Sequence, residues 1–567
     1  MPSINWVGKE SVQNHDKEIP FRLLKKISSK SIGNSENLVI EGDNLEALKA
    51  LLPYYQNKIK CIYIDPPYNT GKENWKYNDN VNSPRIKQWL GKVVDEQDLS
   101  RNDKWACMIY PRLKLLRELL SEDGLIFISI GDDEIQNLKI ILNEIFGKEN
   151  FIAQLIWNTE GSTDNTLEIK IVHEYILLYA KNSKLKNKAF SNVIAPDIKE
   201  GKLFKSHIIN TAVKNGKANP PSTVTLPKGF PSEVKELSLA KPSIPKKFFD
   251  EINKLNYIPR SITDEFKIHY PIRQDPMIIK NKILSKPCNV FSGWANLNKL
   301  KQFIENNCKP VPDDDGDFSF FISKKGVVTY QKERKNPRNI LSVIRDVGTT
   351  TQSRTHLENM SIDFDYPKPV ELISYLIKMS TREDSIVLDS FAGSGTTGEA
   401  VLRLNKENNE RRKFILIELE KTICKNITSE RINKVIQGYN SKRKEKIPGL
   451  GGGYEYCTLD KKLFQETGQI EKSVTFDELA NYLFFTETKT PIEKKKIQNN
   501  FIGAYNDINY YLIFNKIGKN ILNKDFLNQL DSDQMKIIYA DKCTISDEIL
   551  DQHKTVFKQI PYEVRIF

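Results

Sequence analysis

Ser385-Ile386-Val387-Leu388-Asp389-Ser390-Phe391-Ala392-Gly393-Ser394-Gly395-Thr396-Thr397-Gly398 reads as an apolar strand, a glycine-rich turn and the start of a helix that continues over Glu399 to Leu404. Glycines at such a turn let the backbone curl and let a ligand approach the main chain closely. Downstream, a second strand, Phe414-Ile415-Leu416-Ile417, ends in Glu418. That is where a ribose-binding acid sits in nucleoside-binding α/β units. The pattern Gly393-x-Gly395-x-x-Gly398 also fits a dinucleotide fingerprint, so alone it specifies only an adenosine-containing cofactor. A P-loop is excluded, because no Gly-Lys-Ser/Thr follows the glycines.

Far upstream, Asp65-Pro66-Pro67-Tyr68 closes the apolar run Cys61-Ile62-Tyr63-Ile64, which reads as a buried strand running into a tight turn. The cluster gathers a carboxylate, an unpaired backbone carbonyl and an aromatic face at one point. That set suits a planar, amino-bearing ring: two acceptors for the amine hydrogens and a stacking surface, the equipment a flipped nucleobase needs. A Pro-Pro turn with a capping Asp accounts for the same residues without any function. The presence of a cofactor-type turn in the same chain favours the functional reading.

A chain of 567 residues is too long for one core, so roughly two to four domains are expected. Its net charge is +12 and unevenly spread: residues 151–360 hold 33 Lys/Arg against 21 Asp/Glu, so the rest sums to zero. A neutral frame around a basic insert suits a phosphate backbone. Apolar runs such as Leu125 to Ile130 are far short of a membrane span, and Met1-Pro2-Ser3-Ile4-Asn5-Trp6 lacks the pattern of a secretory signal. Seven cysteines, never spaced Cys-x-x-Cys, read as reduced thiols of a cytosolic protein. Six scattered histidines show no zinc-ligand spacing, so no metal site is expected.

Strands and helices alternate on either side of the insert. Asn37 to Ile40 reads as a strand, Leu45 to Leu52 as a helix capped by Asn44, Tyr110 to Leu120 as a helix and Leu125 to Ile130 as a buried strand. Ile135 to Phe146 follows as a helix, Phe151 to Trp157 and Glu174 to Ala180 as strands, and Val370 to Met379 as a helix before the glycine turn. The polar stretch Asn69 to Leu99 reads as a mobile loop over the site. The fold class is therefore α/β, with a doubly wound, mostly parallel sheet built from two separated pieces. The expected boundaries are an N-terminal arm (1–36), the first piece (37–180), the basic insert (181–360), the second piece (361–440), a basic and glycine-rich linker (441–453) and a C-terminal domain (454–567).

With Asn69-Thr70-Gly71 after the first cluster, the chain resembles the amino-group DNA methyltransferases, and its motif order, catalytic cluster first, insert between and cofactor glycines last, resembles their beta group. Glu41-Gly42-Asp43-Asn44-Leu45, Tyr77-Asn78-Asp79-Asn80, Asp103-Lys104-Trp105 and His173-Glu174-Tyr175 are similar to the modification (Mod) subunits of type III restriction systems. The resemblance covers residues 1–440 and implies a Rossmann-like methyltransferase fold with an inserted α+β target-recognition domain and a C-terminal α+β domain. It implies S-adenosyl-L-methionine as cofactor, duplex DNA with a flipped base as substrate, a homodimer, a helicase-nuclease restriction partner and a cytoplasmic setting. Asp65, Pro66, Pro67 and Tyr68 would be catalytic. Asp389, Phe391, Ala392, Gly393, Ser394, Gly395 and Thr396 would line the methionine end of the cofactor, Glu418 would take the ribose, Asp43 would lie near the adenine, and Lys368 and Pro369 would pack nearby. Asp at the first catalytic position favours adenine-N6 over cytosine-N4 within the family.

Three other readings stand beside this one: a cytosine-N4, RNA or protein-amide methyltransferase, a DNA-recognition subunit with vestigial methylation, and an NAD-linked oxidoreductase. The last leaves Asp65 to Tyr68 unexplained. Arg273, Arg334, Arg338 and Arg345 are candidates for contact with bases or phosphates.

Overall fold

The computed structural model describes residues 5–560 other than 71–74, 77–87, 89–92, 95–99, 160–170, 186–189, 191–206, 269–270, 314–315, 334–339, 443–444, 466–468, 493–499 and 516–519. The chain forms two compact units, one of residues 1–197 with 340–567 and the other of residues 198–339.

The first unit is organised by a ten-stranded sheet. Its strands are β1 (Arg22–Lys26), β2 (Leu38–Glu41), β3 (Ile59–Ile64), β4 (Leu120–Ile130), β5 (Phe151–Asn158), β6 (His173–Ala180), β7 (Val343–Ile344), β8 (Ile386–Asp389), β9 (Lys413–Glu418) and β10 (Glu455–Lys462). They lie in the order β1-β10-β2-β9-β8-β3-β4-β6-β5-β7. The run from β10 to β4 is parallel throughout, β6 is antiparallel to both β4 and β5, and β7 is parallel to β5. The helices that matter for the site are α1 (Asn44–Tyr55), α2 (Arg101–Leu119), α3 (Ile135–Phe146), α4 (Thr350–Asn359), α5 (Val370–Ser380), α6 (Thr396–Asn408) and α7 (Ser429–Gln437).

Both faces of the parallel strands are covered, which explains their uninterrupted apolar sequences. Ile62, Ile64, Ile126 and Ile128 join the core cluster built by α1, α2 and α3. Their neighbours Cys61, Tyr63, Leu125 and Phe127 point to the opposite face and are equally buried. The α1 N-cap is Asp43, whose Oδ1 accepts from the Leu45 and Glu46 amides, rather than the Asn44 expected from sequence. Asn44 is the first residue of the helix and its side chain is engaged elsewhere.

Several boundaries differ from the sequence expectation. Residues 340–360 belong to the first unit, because Val343 and Ile344 pair with Ile156 and Trp157 of β5. The amino-terminal segment is not a free arm: Trp6 is buried against Tyr110, and β1 pairs with β10. The glycine-rich stretch near 450 is packed rather than extended, with the Leu450 amide donating to the Val435 carbonyl and Tyr454 exchanging backbone bonds with Ile32. Past β10, the chain forms a helix (Phe476–Thr488) with a Thr475/Glu478 capping box and a four-stranded sheet within the same unit. Most of the Asn69–Leu99 stretch lies outside the described residues, although Trp75–Lys76 pairs antiparallel with Val93–Val94.

The second unit holds three three-stranded sheets: Ser222–Leu226, Cys288–Ser292 and Ile272–Arg273; Glu236–Leu239, Met277–Lys280 and Ile283–Leu284; and Phe318–Ile322, Val328–Glu333 and His207–Thr211. Phe230, Phe303 and Phe320 meet at its centre, edge-to-face in the first pair and tilted in the second, with ring centroids 5.7 and 5.4 Å apart. Residues 198–339 carry 26 Lys/Arg against 14 Asp/Glu, so this unit holds the chain's whole excess of positive charge. Arg273 lies in this unit and Arg345 in the first, while Arg334 and Arg338 fall outside the described residues. Among the described residues no helix is long and apolar enough to cross a membrane. All seven cysteines are free thiols.

Candidate active site

β3 and β8 are neighbours, with Val387 opposite Cys61 and Leu388 opposite Ile62. Their carboxyl ends therefore emerge side by side, the place where parallel α/β sheets bind ligands. Asp65 follows directly from β3 and Asp389 ends β8. Both line one cleft of about 920 Å³, together with Pro66, Pro67, Tyr68, Lys368, Phe391, Ala392, Gly393, Ser394, Thr396 and Glu418. The two motifs, separated by some 320 residues of chain, are thus joined by strand pairing.

The Asp65 turn is held from several sides. Trp105 Nε1 donates to the Pro67 carbonyl at 2.7 Å. Tyr68 donates its hydroxyl to Glu174 Oε2 at 2.6 Å, and its ring packs on Gly131, where an added Cβ would lie 3.1 Å from Tyr68 Cδ2. Asn69 takes a left-handed conformation and donates to the buried Glu134 at 2.6 Å. Asp65 Oδ2 lies 2.8 Å from Lys368 Nζ, while Oδ1 is buried without a hydrogen-bond partner among the described residues. Burial pushes the Asp65 carboxyl up, the Lys368 ammonium opposes it and Glu174 adds to it. Burial works against the Lys368 charge, but Asp65 and Glu174 outweigh it and hold the ammonium above its ordinary range.

The glycine turn is built by its own carboxylates. Asp389 Oδ1 accepts from the Phe391 amide at 3.0 Å and Oδ2 from the Thr397 hydroxyl at 2.6 Å. Burial nonetheless pushes its pKa up to about 7 against those two bonds. Glu418 accepts from the Gly393 and Glu420 amides at 2.8 and 2.9 Å, and burial likewise raises it. Gly393 and Gly395 sit at φ 48° and 79°, where a side chain would be strained. At Gly398 an added Cβ would lie 2.6 Å from Ile432 and 2.9 Å from Leu416, so this glycine lets α6 approach its neighbours.

Three expected cofactor residues do not line the cleft. Asp43 caps α1 and lies 3.6 Å from Arg112, because the strand-to-helix turn needs its oxygen for the α1 amides. Asn44 lines the cleft in its place, bridging Arg112 Nε (2.5 Å) and the Ser390 carbonyl (3.1 Å). Pro369 is the N-cap position of α5, and Gly395 backs onto Thr428 at the start of α6. Sequence reasoning gave no role at the site to Glu174, Arg112, Phe364, Ser390 or Leu419, and read Asn44 only as a helix cap; all of them line the cleft. His173-Glu174-Tyr175 was the available signal for Glu174: an acid at the mouth of an otherwise apolar strand.

Residues 59–430 match the DNA methylase family. The chain belongs to that family. It is 33% identical over 457 residues to the type III restriction-modification enzyme EcoPI Mod subunit of Escherichia phage P1, covering 75% of this chain and 64% of the relative. With the EcoP15I Mod subunit of Escherichia coli it shares 31% identity over 472 residues, covering 77% and 67%. The chain thus spans about two thirds of the length of these Mod subunits. Among solved structures, the M1.HpyAVI–SAM complex aligns at 13% identity with a TM-score of 0.29, covering 70% of this chain and 98% of the other.

Proposed function

We propose that the protein is a site-specific DNA adenine-N6 methyltransferase using S-adenosyl-L-methionine, and the modification subunit of a type III restriction-modification system. One observation carries the reading: the Asp65 turn and the glycine turn share a single cleft, with Asp65 Oδ1 buried and, among the described residues, unpartnered beside them. Family membership and the similarity to Mod subunits support it.

The residues present fit the cofactor. Glu418 and the unpartnered Ser390 hydroxyl offer polar partners for a nucleoside, and Phe364, Phe391, Leu419 and Ile427 offer apolar walls. The cleft volume falls within the range of small-molecule sites. When bound, S-adenosyl-L-methionine supplies a methyl group already activated on a sulfonium.

The chain's own residues then act on the base. An exocyclic purine amine is a poor nucleophile, because its lone pair is delocalised into the ring. Asp65 Oδ1 and the Pro66 carbonyl accept its hydrogens and favour tetrahedral nitrogen, and Asp65 receives the proton the amine gives up. Tyr68 stacks on the extruded ring. This is catalysis by positioning and local electrostatics.

In this reading the basic second unit tracks the phosphate backbone and reads the target sequence. The enzyme works in the cytoplasm as a homodimer, with a separate helicase-nuclease subunit for cleavage. The test is to incubate unmodified bacterial DNA with protein and labelled S-adenosyl-L-methionine, digest it and chromatograph the nucleosides. Label in N6-methyladenine is expected. Label in N4-methylcytosine reassigns the target base, and no label in DNA overturns the proposal.

A further inference from the structure

Family resemblance assigns Lys368 to the cofactor side, but its ammonium lies among groups of the target-base side. Lys368 Nζ is 2.8 Å from Asp65 Oδ2, 3.4 Å from Glu174 Oε2 and 4.9 Å from the Tyr68 ring centroid. Tyr68 donates to that same Glu174 oxygen. The cation therefore occupies one oxygen of Asp65 and leaves the other, Oδ1, without a partner among the described residues.

Resting on the methyl-transfer reading above, we propose that Lys368 and Glu174 are a pair of positioning residues for the target amine: Lys368 pairs with Asp65 through Oδ2 and leaves Oδ1 for an amine hydrogen, while Glu174 shares the cation and fixes the Tyr68 ring by its hydroxyl. A carboxylate accepts an amine hydrogen; a protonated carboxyl at Oδ1 would donate instead. Asp65 sits in a pocket where burial favours the protonated form, so a neighbouring cation is needed to keep the acceptor available. The titratable groups around it are Lys368 from the segment before α5, Glu174 on β6, Tyr68 from its own turn, Tyr63 on β3 and Asp389 on β8. Lys368 is the cation among them, and Glu174 works against it.

The two side chains consequently affect Asp65 in opposite senses. Lys368→Met removes the stabilising charge and moves the acid limb of the methylation rate to higher pH. Glu174→Gln removes a repelling charge, keeps an oxygen to accept the Tyr68 hydroxyl and moves the same limb to lower pH. A merely structural role for either residue would lower the rate at all pH values without displacing the limb.

The experiment is single-turnover methyl transfer, with protein in excess over sites in unmodified bacterial DNA, for wild type, K368M, K368R and E174Q across the pH range. In K368M the ratio of the rate at pH 9 to that at pH 6 should rise about tenfold over wild type, with K368R closer to wild type and E174Q below it. Equal or same-direction displacement in K368M and E174Q overturns the inference, as does loss of K368M activity at every pH in a folded protein. If circular dichroism shows K368M unfolded, E174Q decides: a limb at lower pH supports the pairing, and one unchanged or higher overturns it. A wild-type protein that labels no DNA overturns the methyl-transfer reading and this inference with it, an outcome distinct from an active enzyme with an undisplaced limb.

Discussion

Arg431 donates from Nε to Glu399 Oε2 at 2.6 Å, and neither side chain is exposed. The same guanidinium donates from Nη1 to the Ser394 hydroxyl at 2.9 Å and the Thr396 hydroxyl at 2.8 Å, so α7 grips the glycine turn from behind. Burial alone would raise the Glu399 carboxyl, but Arg431, His356 and Arg403 together hold it well below the usual carboxylate range. Arg431→Met is expected to destabilise the protein by about 2–3 kcal/mol in urea titrations, because it removes the cation from Glu399 Oε2 and the bonds to Ser394 and Thr396, while Arg403 and His356 still hold Oε1. Replacing Glu399 by Gln in the same variant should restore part of that loss. A single variant as stable as wild type would show that the pair does not organise the turn.

Asp65→Ala and Tyr68→Ala should each lower single-turnover methylation by at least about 100-fold. Circular dichroism and much of the DNA binding should be unchanged, since Asp65 lies outside the main apolar core, Tyr68 packs only against its margin, and neither belongs to the basic unit. Full activity in either variant would remove the Asp65 turn from the chemistry.

Strong periodicity made most of the sheet legible. Ile135–Phe146 is a helix with the bounds read from its apolar spacing, and the strands ending at Ile64, Ile130 and Asp389 follow from runs buried on both faces. Chain connectivity hid the rest. Residues of β1 and β10 carry little pattern, because both lie at the sheet's end and expose several side chains, so an edge ribbon passed for an arm and a linked domain. Capping and ligand binding ask for the same side chain at Asp43, and only geometry shows that its Oδ1 accepts from backbone amides of α1. The Glu174–Tyr68 and Lys368–Asp65 contacts span long stretches of chain and leave no local spacing to read.

Glu134 carries a testable pH dependence. Its side chain is fully buried, and burial pushes its pKa up to about 7 despite bonds from Asn137 and Asn69. The folded state thus keeps a proton that the unfolded chain releases near the ordinary glutamate value. This contribution to stability is fully present below that value and is lost as pH rises through about 7. Between these limits it amounts to about 3 kcal/mol. Glu134→Gln should abolish it, so urea midpoints of variant and wild type should diverge with rising pH, the variant becoming the more stable. Parallel midpoints would mean that Glu134 ionises alike in both states.

The glycines near 450 separate a tether from a packed crossing. An added Cβ at Gly453 would lie 2.3 Å from the Ile32 carbonyl oxygen, which already accepts the Tyr454 amide at 2.9 Å. Neither backbone can yield without breaking that bond, so Gly453→Ala should cost about 1–3 kcal/mol in chemical denaturation. At Gly451 an added Cβ meets nothing within 4 Å, and only its left-handed φ of 79° opposes a side chain. Gly451→Ala should therefore cost about 1 kcal/mol, the smaller of the two losses. Matching denaturation midpoints for the two variants would mean that residues 449–453 behave as the loose linker their composition suggests, and that the entry of β10 into the sheet does not depend on the close approach to Ile32.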